Sequence, residues 1–366
     1  MQKVSIIFIG LLSIWQIAQA QEKGFVIKGC FPGMKNGINV ALLTAEEAPS
    51  ETLAETTVQN GCFELKGRME HPMLCTLITN NLSMLPENSN TDSIKWTYTP
   101  VFVDNVAMTV ETAHYNNIPS DWGITPDFRI TGGEVQNDYN EFNQSLYRAV
   151  NGKIADENVN EKEIWSFIST HPHSVISAYF ANNLLQRGYN LTNEQVAQLE
   201  KSIVSVPADT ARFTLFQSRI QYAKRTTVGS ELVNLEMTDI NGKVYNLDQL
   251  VPKGKFVLID FWASWCGMCL AAMPDIQKLE EQYSPQLSVI AVSCDKDLKA
   301  WKNAMNKKKM SWPQYVLTKQ GYDDFFNKYQ VGNGVPYYTL IAPDGKVMKA
   351  PHGVEEIGEL LNFYCK

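Results

Sequence analysis

From Phe25 to about residue 112, apolar and polar positions alternate with period two, the signature of half-buried strands. Phe25, Ile27 and Phe31 share one strand face, as do Ile38, Val40 and Leu42. Asn60-Gly61 predicts a hairpin turn leading into Phe63 and Leu65. Apolar runs at Met73–Ile78 and Val101–Val110 continue the pattern, with a Ser/Asn-rich loop over 86–96 between them. A small antiparallel sheet or sandwich is expected. Cys30 and Cys62 each precede a Phe, on strands whose apolar neighbours point the other way. They could pair with each other, and Cα spacing decides it. Cys75 shares a face with Met73 and Leu77 and reads as core.

The period then changes. Val135, Tyr139, Phe142, Leu146 and Val150 step by four or three, lining one face of a helix. Ile164, Phe167 and Ile168 form a shorter repeat that stops at His171-Pro172, and Val175, Tyr179 and Phe180 begin a third helix. Thr192 with Gln195 is a capping-box start, and Phe213, Phe216 and Ile220 close the set. After a polar joint, Lys224–Ser230, strands and helices alternate, which signals an α/β unit with a mixed sheet. Its reading is a hairpin at Asn241-Gly242, strands 256–262 and 287–293, and a helix near 298–308. A strand near 314–317, a helix near 322–329, strand 337–342, an Asp344-Gly345 turn and a helix from 354 complete it.

At 366 residues the chain is too long for one ordinary core. Its first residues read as a secretory signal: Lys3, an apolar run from Val4 to Ile17, and Ala18-Gln19-Ala20 as the cleavage site. The predicted division is 1–20 signal peptide, 21–115 β-rich domain, 116–228 mostly helical segment and 229–366 α/β domain. Export permits disulfides to persist, so the seven cysteines are candidates for pairing. The net charge is −7, and no basic stripe is present, so nucleic acid is excluded as an expected partner.

The stretch most dense in chemistry is Val257–Pro274, VLIDFWASWCGMCLAAMP. It reads as a buried strand, a tight turn and a helix interrupted at Pro274. A C-x-x-C at a strand-to-helix junction sets its first thiol, Cys266, at a helix N-terminus, where unpaired N–H groups favour a thiolate. Cys269, three residues on, is within reach to close a disulfide. The competing reading, half of a structural zinc site, needs four ligands, and no second pair follows at ligand spacing. Neither a metal nor a cofactor is called for. Asp260 lies mid-strand in an apolar run, where burial should raise a carboxyl pKa.

With Asp260-Phe-Trp-Ala-Ser-Trp-Cys-Gly-Met-Cys, Pro274 and the later Gly334-Val335-Pro336, residues 229–366 resemble the thioredoxin family. The opening DINGKVYNLDQL is similar to the exported TlpA/ResA-type branch, and the NGCFELKG region resembles a small β domain of unknown function. The resemblance implies a thioredoxin fold and a thiol–disulfide oxidoreductase, a disulfide reductase in preference to an oxidase. Cys266, exposed, would attack a substrate disulfide; Cys269, more buried, would resolve the mixed disulfide. Asp260 would relay the resolving proton. Pro336 would be a cis-proline facing the disulfide, backbone groups of Val335 would pair with substrate, and Trp265 would shield Cys266 and contact substrate. Trp262 is expected in the core. Oxidised client proteins and a membrane electron donor of thiol type are the implied partners, in the periplasm.

The chain also departs from the family pattern. Met268 stands where many thioredoxins have proline, and Leu270 and Ala272 replace charged residues. Cys294 ends the strand beside the active-site strand and reads as a small buried apolar residue. Cys365, near the C-terminus, is expected to be exposed and prone to oxidation. A thiol peroxidase and a non-enzymatic redox-sensitive binding protein are the competing functions.

Overall fold

The computed structural model describes residues 24–46, 49–86, 90–119, 127–331 and 334–365. The predicted signal peptide and cleavage site lie outside the described residues. The chain divides into two compact units, one running to Ala178 with Val204–Thr210, the other made of Tyr179–Ile203 and Ala211–Lys366.

The first unit is a sandwich. Its strands are β1 (Phe25–Cys30), β2 (Asn39–Thr44), β3 (Thr52–Thr57), β4 (Cys62–Gly67), β5 (Met73–Asn80), β6 (Trp96–Val103), β7 (Ala107–Thr112) and β8 (Phe128–Thr131). They form two four-stranded sheets, ordered β4-β1-β7-β8 and β3-β2-β5-β6. Inward residues of both, Ile27, Leu65, Val40 and Leu77 among them, meet in one core. The alternation predicted these faces. It did not predict that β1 runs parallel to β7 within an otherwise antiparallel arrangement. Asn60 and Gly61 both have positive φ, as a two-residue turn of type I′ requires. Yet the strands they join separate after the single bridge Gln59↔Cys62, β3 going to one sheet and β4 to the other.

Helix α1 (Glu134–Ala149) buries Val135, Tyr139 and Phe142, the face read from the sequence. Gln136 fixes it to the sandwich by accepting the Phe102 N–H at 2.8 Å, and Asn140 donates to Ile130 O at 2.7 Å. Two further helices follow, α2 (Glu157–Thr170) and α3 (Val175–Leu184).

In the second unit, α4 (Asn193–Ser202) begins with the expected capping box, Thr192 and Gln195 each accepting the other's backbone N–H. Helix α5 (Thr210–Ala223) buries Phe216 and Ile220. The sheet has seven strands: β9 (Glu236–Thr238), β10 (Val244–Asn246), β11 (Phe256–Trp262), β12 (Leu287–Ser293), β13 (Gln314–Leu317), β14 (Tyr337–Ile341) and β15 (Val347–Lys349). Their order is β10-β9-β13-β12-β11-β14-β15. β11, β12 and β13 are parallel, and β14 returns antiparallel against β11. The helices are α6 (Leu247–Leu250), α7 (Gly267–Gln282), α8 (Leu298–Lys308), α9 (Lys319–Lys328) and α10 (Val354–Tyr364).

The joint at 224–230 is not the polar spacer its composition suggested. Thr226 and Thr227 are buried, and the joint's backbone is used: Tyr189 N–H donates to Thr226 O, Val228 N–H to Leu191 O at 2.9 Å, and Gly229 N–H to Val347 O at 2.8 Å. Residues 187–191 are bound still more tightly to the sheet. Tyr337 donates its hydroxyl to Gly188 O at 2.7 Å, and Ala350 N–H reaches Tyr189 O at 3.0 Å. The Arg187 guanidinium lies over the Tyr337 ring, 4.5 Å from its centre, and donates to Ala350 O at 3.0 Å and to Pro351 O. Buried backbone groups must find partners, and here the helical segment supplies them.

Candidate active site

β11 is buried on both faces from Val257 to Trp262, which is why its sequence is an apolar run and does not alternate. At its C-terminal end Trp262 is fully buried, as expected, and the chain turns through Ala263-Ser264-Trp265 into α7. Cys266 is the N-cap. Its N–H donates to Ala263 O at 3.1 Å, closing the turn, and its carbonyl accepts the Leu270 N–H at 3.1 Å, opening the helix. Cys266 and Cys269 are joined as a disulfide. The Cys269 N–H points at Cys266 Sγ at 3.1 Å, so a free helix N–H is directed at the sulfur that would carry charge after reduction.

The expected exposure of Cys266 is not found. It is 5% exposed against 2% for Cys269, because the turn folds its sulfur inward to 3.5 Å from the Val335 carbonyl oxygen. Trp265 and Met268, on either side, point outward and are 67% and 71% exposed. The cover over Cys266 Sγ thus comes from the Val335 segment, while the two large apolar side chains are presented to solvent. The Val335–Pro336 peptide is cis, as the resemblance implied. Pro274 lies inside α7.

Asp260 is opposite Ala291 on β12 and Tyr338 on β14. It is buried, and its Oδ2 has no hydrogen-bond partner among the described residues. Desolvation pushes its carboxyl up to about 7. Two neighbours register that carboxylate. Burial raises the Cys294 thiol, and the charges of Asp295 and Asp260 raise it further; burial raises Tyr338, with Asp260 next in effect. Cys294 is buried and free, and Cys75, buried in the sandwich, is pushed up to about 12 by desolvation. Cys365 is partly buried.

Sequence reasoning missed Asp295. This carboxylate, also buried, accepts from Ser264 N–H at 2.8 Å, Ser264 Oγ at 2.7 Å and Ser293 Oγ at 2.7 Å. Ser264 is in the active-site turn and Ser293 ends the neighbouring strand, so Asp295 ties the turn to β12. The available signal was a Ser-Cys-Asp step closing an apolar strand, with a lone Ser in the turn two residues before Cys266. Among the described residues, no group of three or more His, Cys, Asp or Glu is placed to hold a metal ion.

Residues 254–347 match a family model described as thioredoxin-like, and residues 25–139 match a domain of unknown function, DUF4369. The chain is 33% identical over 155 residues to the thiol-disulfide oxidoreductase ResA of Bacillus anthracis, covering 42% of this chain and 86% of that protein. With ResA of Bacillus subtilis the identity is 28% over 142 residues, covering 38% and 76%. A solved thioredoxin domain of a thiol-disulfide oxidoreductase from Bacteroides vulgatus shares 25% identity, covering 38% of this chain and 98% of that one with a TM-score of 0.34. The 33% identity with the Bacillus anthracis protein extends over 86% of that relative. On that ground the chain belongs to the thioredoxin-like thiol–disulfide oxidoreductases.

Proposed function

We propose that the protein is an exported oxidoreductase that reduces protein disulfides through Cys266 and Cys269. The observation that carries this reading is the disulfide at the N-terminus of α7, with the Cys269 N–H directed at Cys266 Sγ. In the reduced enzyme that N–H stabilises a Cys266 thiolate, which attacks one sulfur of a client disulfide and expels the other as thiolate. Cys269 then loses its proton, attacks Cys266 Sγ and releases the client's second sulfur. Two electrons leave the enzyme and its disulfide re-forms. A membrane dithiol returns it to the reduced state. Asp260, ionising near neutral pH in an apolar interior, is suited to hold the proton that Cys269 gives up.

The reductive direction is supported by the surroundings of the sulfurs. Both are buried, and Cys266 Sγ has one N–H facing it and a carbonyl oxygen on its other side. Weak stabilisation of thiolate leaves the disulfide form favoured, which makes the dithiol a good electron donor. Exposed Trp265 and Met268 offer an apolar rim for client chains, and the Val335 backbone offers an edge for a client strand. The test is a titration of the Cys266/Cys269 pair in thiol buffers. A reversible two-electron couple at roughly −220 mV or below supports a reductase, a couple between about −120 and −180 mV argues for an oxidase or isomerase, and no couple overturns the function. Export is checked by the N-terminal sequence of the protein recovered from the periplasm, expected to begin at Gln21.

A further inference from the structure

The sandwich carries a second disulfide, Cys30–Cys62, and its setting differs from that of a structural staple. The two residues face each other at the end of the antiparallel β1–β4 pairing, with Cα atoms 4.2 Å apart. The backbone N–H and C=O of Cys62 are both bonded to Gln59 across the tight turn, so the cysteines form a pair without hydrogen bonds between them. Opening the S–S bond therefore breaks no rung of the ladder. Neither side chain belongs to the core: β1 and β4 bury Ile27, Phe63 and Leu65 on the other face, Cys30 is exposed and Cys62 half-buried. β4 is moreover the edge strand of its sheet.

The outer face also bears charge suited to exchange. Two residues from the cysteines, Lys28 pairs with Glu64 at 2.6 Å, and Lys66 reaches the same carboxylate. Both lysines lie on that face, and positive charge near a leaving sulfur favours its thiolate.

We propose that Cys30–Cys62 is a second redox-active disulfide, and that the Cys266/Cys269 dithiol of another copy of this chain is its electron donor. The proposal rests on the dithiol function of Cys266 and Cys269. Cys266 thiolate attacks one sulfur of the Cys30–Cys62 bond, forming a mixed disulfide and releasing the other sulfur as thiolate. Cys269 thiolate then attacks Cys266 Sγ, restoring the Cys266–Cys269 disulfide and freeing the second thiolate. Two electrons pass from one pair to the other, and a dithiol donor recharges the Cys266/Cys269 pair. The protein would thereby hold four reducing electrons when fully charged.

The experiment equilibrates the full-length protein in dithiothreitol buffers of graded potential, quenches with acid, alkylates, and reads each cysteine pair by peptide mapping. The two pairs are expected to titrate with equilibrium constants within about a hundredfold of each other. The rate of Cys30–Cys62 reduction by dithiothreitol is expected to fall at least tenfold in the Cys266→Ser/Cys269→Ser variant. In a Cys269→Ser variant that keeps Cys30–Cys62 oxidised, the Cys266 thiolate should attack that bond, release one of its sulfurs as thiolate, and accumulate a disulfide between Cys266 and Cys30 or Cys62. A Cys30–Cys62 pair that stays oxidised wherever Cys266–Cys269 is fully reduced overturns the proposal and leaves the dithiol function standing. Absence of any reversible Cys266–Cys269 couple overturns both.

Discussion

Replacing Asp260 with Asn removes a carboxyl that the fold holds in the wrong solvent. In the unfolded chain this group ionises near 4; in the native state burial moves it to about 7. Between these pH values the native protein keeps a proton that the unfolded chain has lost. Stability therefore falls as pH rises through that window, then levels off above it. A gap of about three pH units corresponds to about 4 kcal/mol in all. The Asp260→Asn variant lacks this slope, so its stability relative to the parent should climb by about that amount between pH 4 and pH 8. Any fixed penalty for burying an amide cancels in that comparison. Urea unfolding of the oxidised protein, followed by hydrogen-exchange protection of the β11 amides, reads the unit that contains Asp260. A relative stability that does not change with pH would refute the assignment of a buried, neutral-pH carboxyl to this position. The same variant should slow resolution of the mixed disulfide above pH 7, where the parent has an ionised Asp260 ready to take the Cys269 proton.

Asp295→Asn should cost about 2 kcal/mol by loosening charge-assisted hydrogen bonds to Ser264. Because it acts by positioning the turn, it should also displace the pH profile of Cys266 alkylation; a variant that only melts earlier, with that profile unmoved, contradicts the bracing role. Gly321→Ala should destabilise the second unit by about 2–3 kcal/mol, since a Cβ there would sit 1.9 Å from Glu236 O, and an unchanged urea midpoint would be inconsistent with that close approach. Arg187→Ala should lose roughly 2 kcal/mol through its stacking on Tyr337 and its two carbonyl partners, with thermal unfolding as the readout.

How much of this was legible depends on distance along the chain. The strand, turn and helix around Cys266 occupy some twenty consecutive residues, and each step leaves a local mark: an apolar run, a small-residue turn, then Pro274 in the helix. Capping at Thr192 and the turn at Asn60-Gly61 are equally local. Asp295 is 31 residues from Ser264, and nothing in the intervening sequence says that parallel pairing of β11 and β12 brings them together. The parallel β1–β7 pairing was hidden for the same reason, since alternation reports which face is buried and not which strand lies alongside. The exposure assigned to Cys266 failed because family position says where a sulfur is in the chain, whereas its cover comes from Val335, 69 residues later.

Residues 187–191 give the second unit a different modularity from the one its motifs suggest. A fragment starting at residue 229 would retain every thioredoxin-like motif, yet Tyr337 would lose the acceptor of its buried hydroxyl, and Tyr329 the ring of Tyr189 5.4 Å from its own. The strand that follows the cis-proline would then rest on solvent where it now rests on Arg187 and Gly188. In this protein the smallest heritable piece that preserves the redox strand pair is longer than the recognisable module, and recombination at the motif boundary would separate a catalytic sheet from part of its own wall.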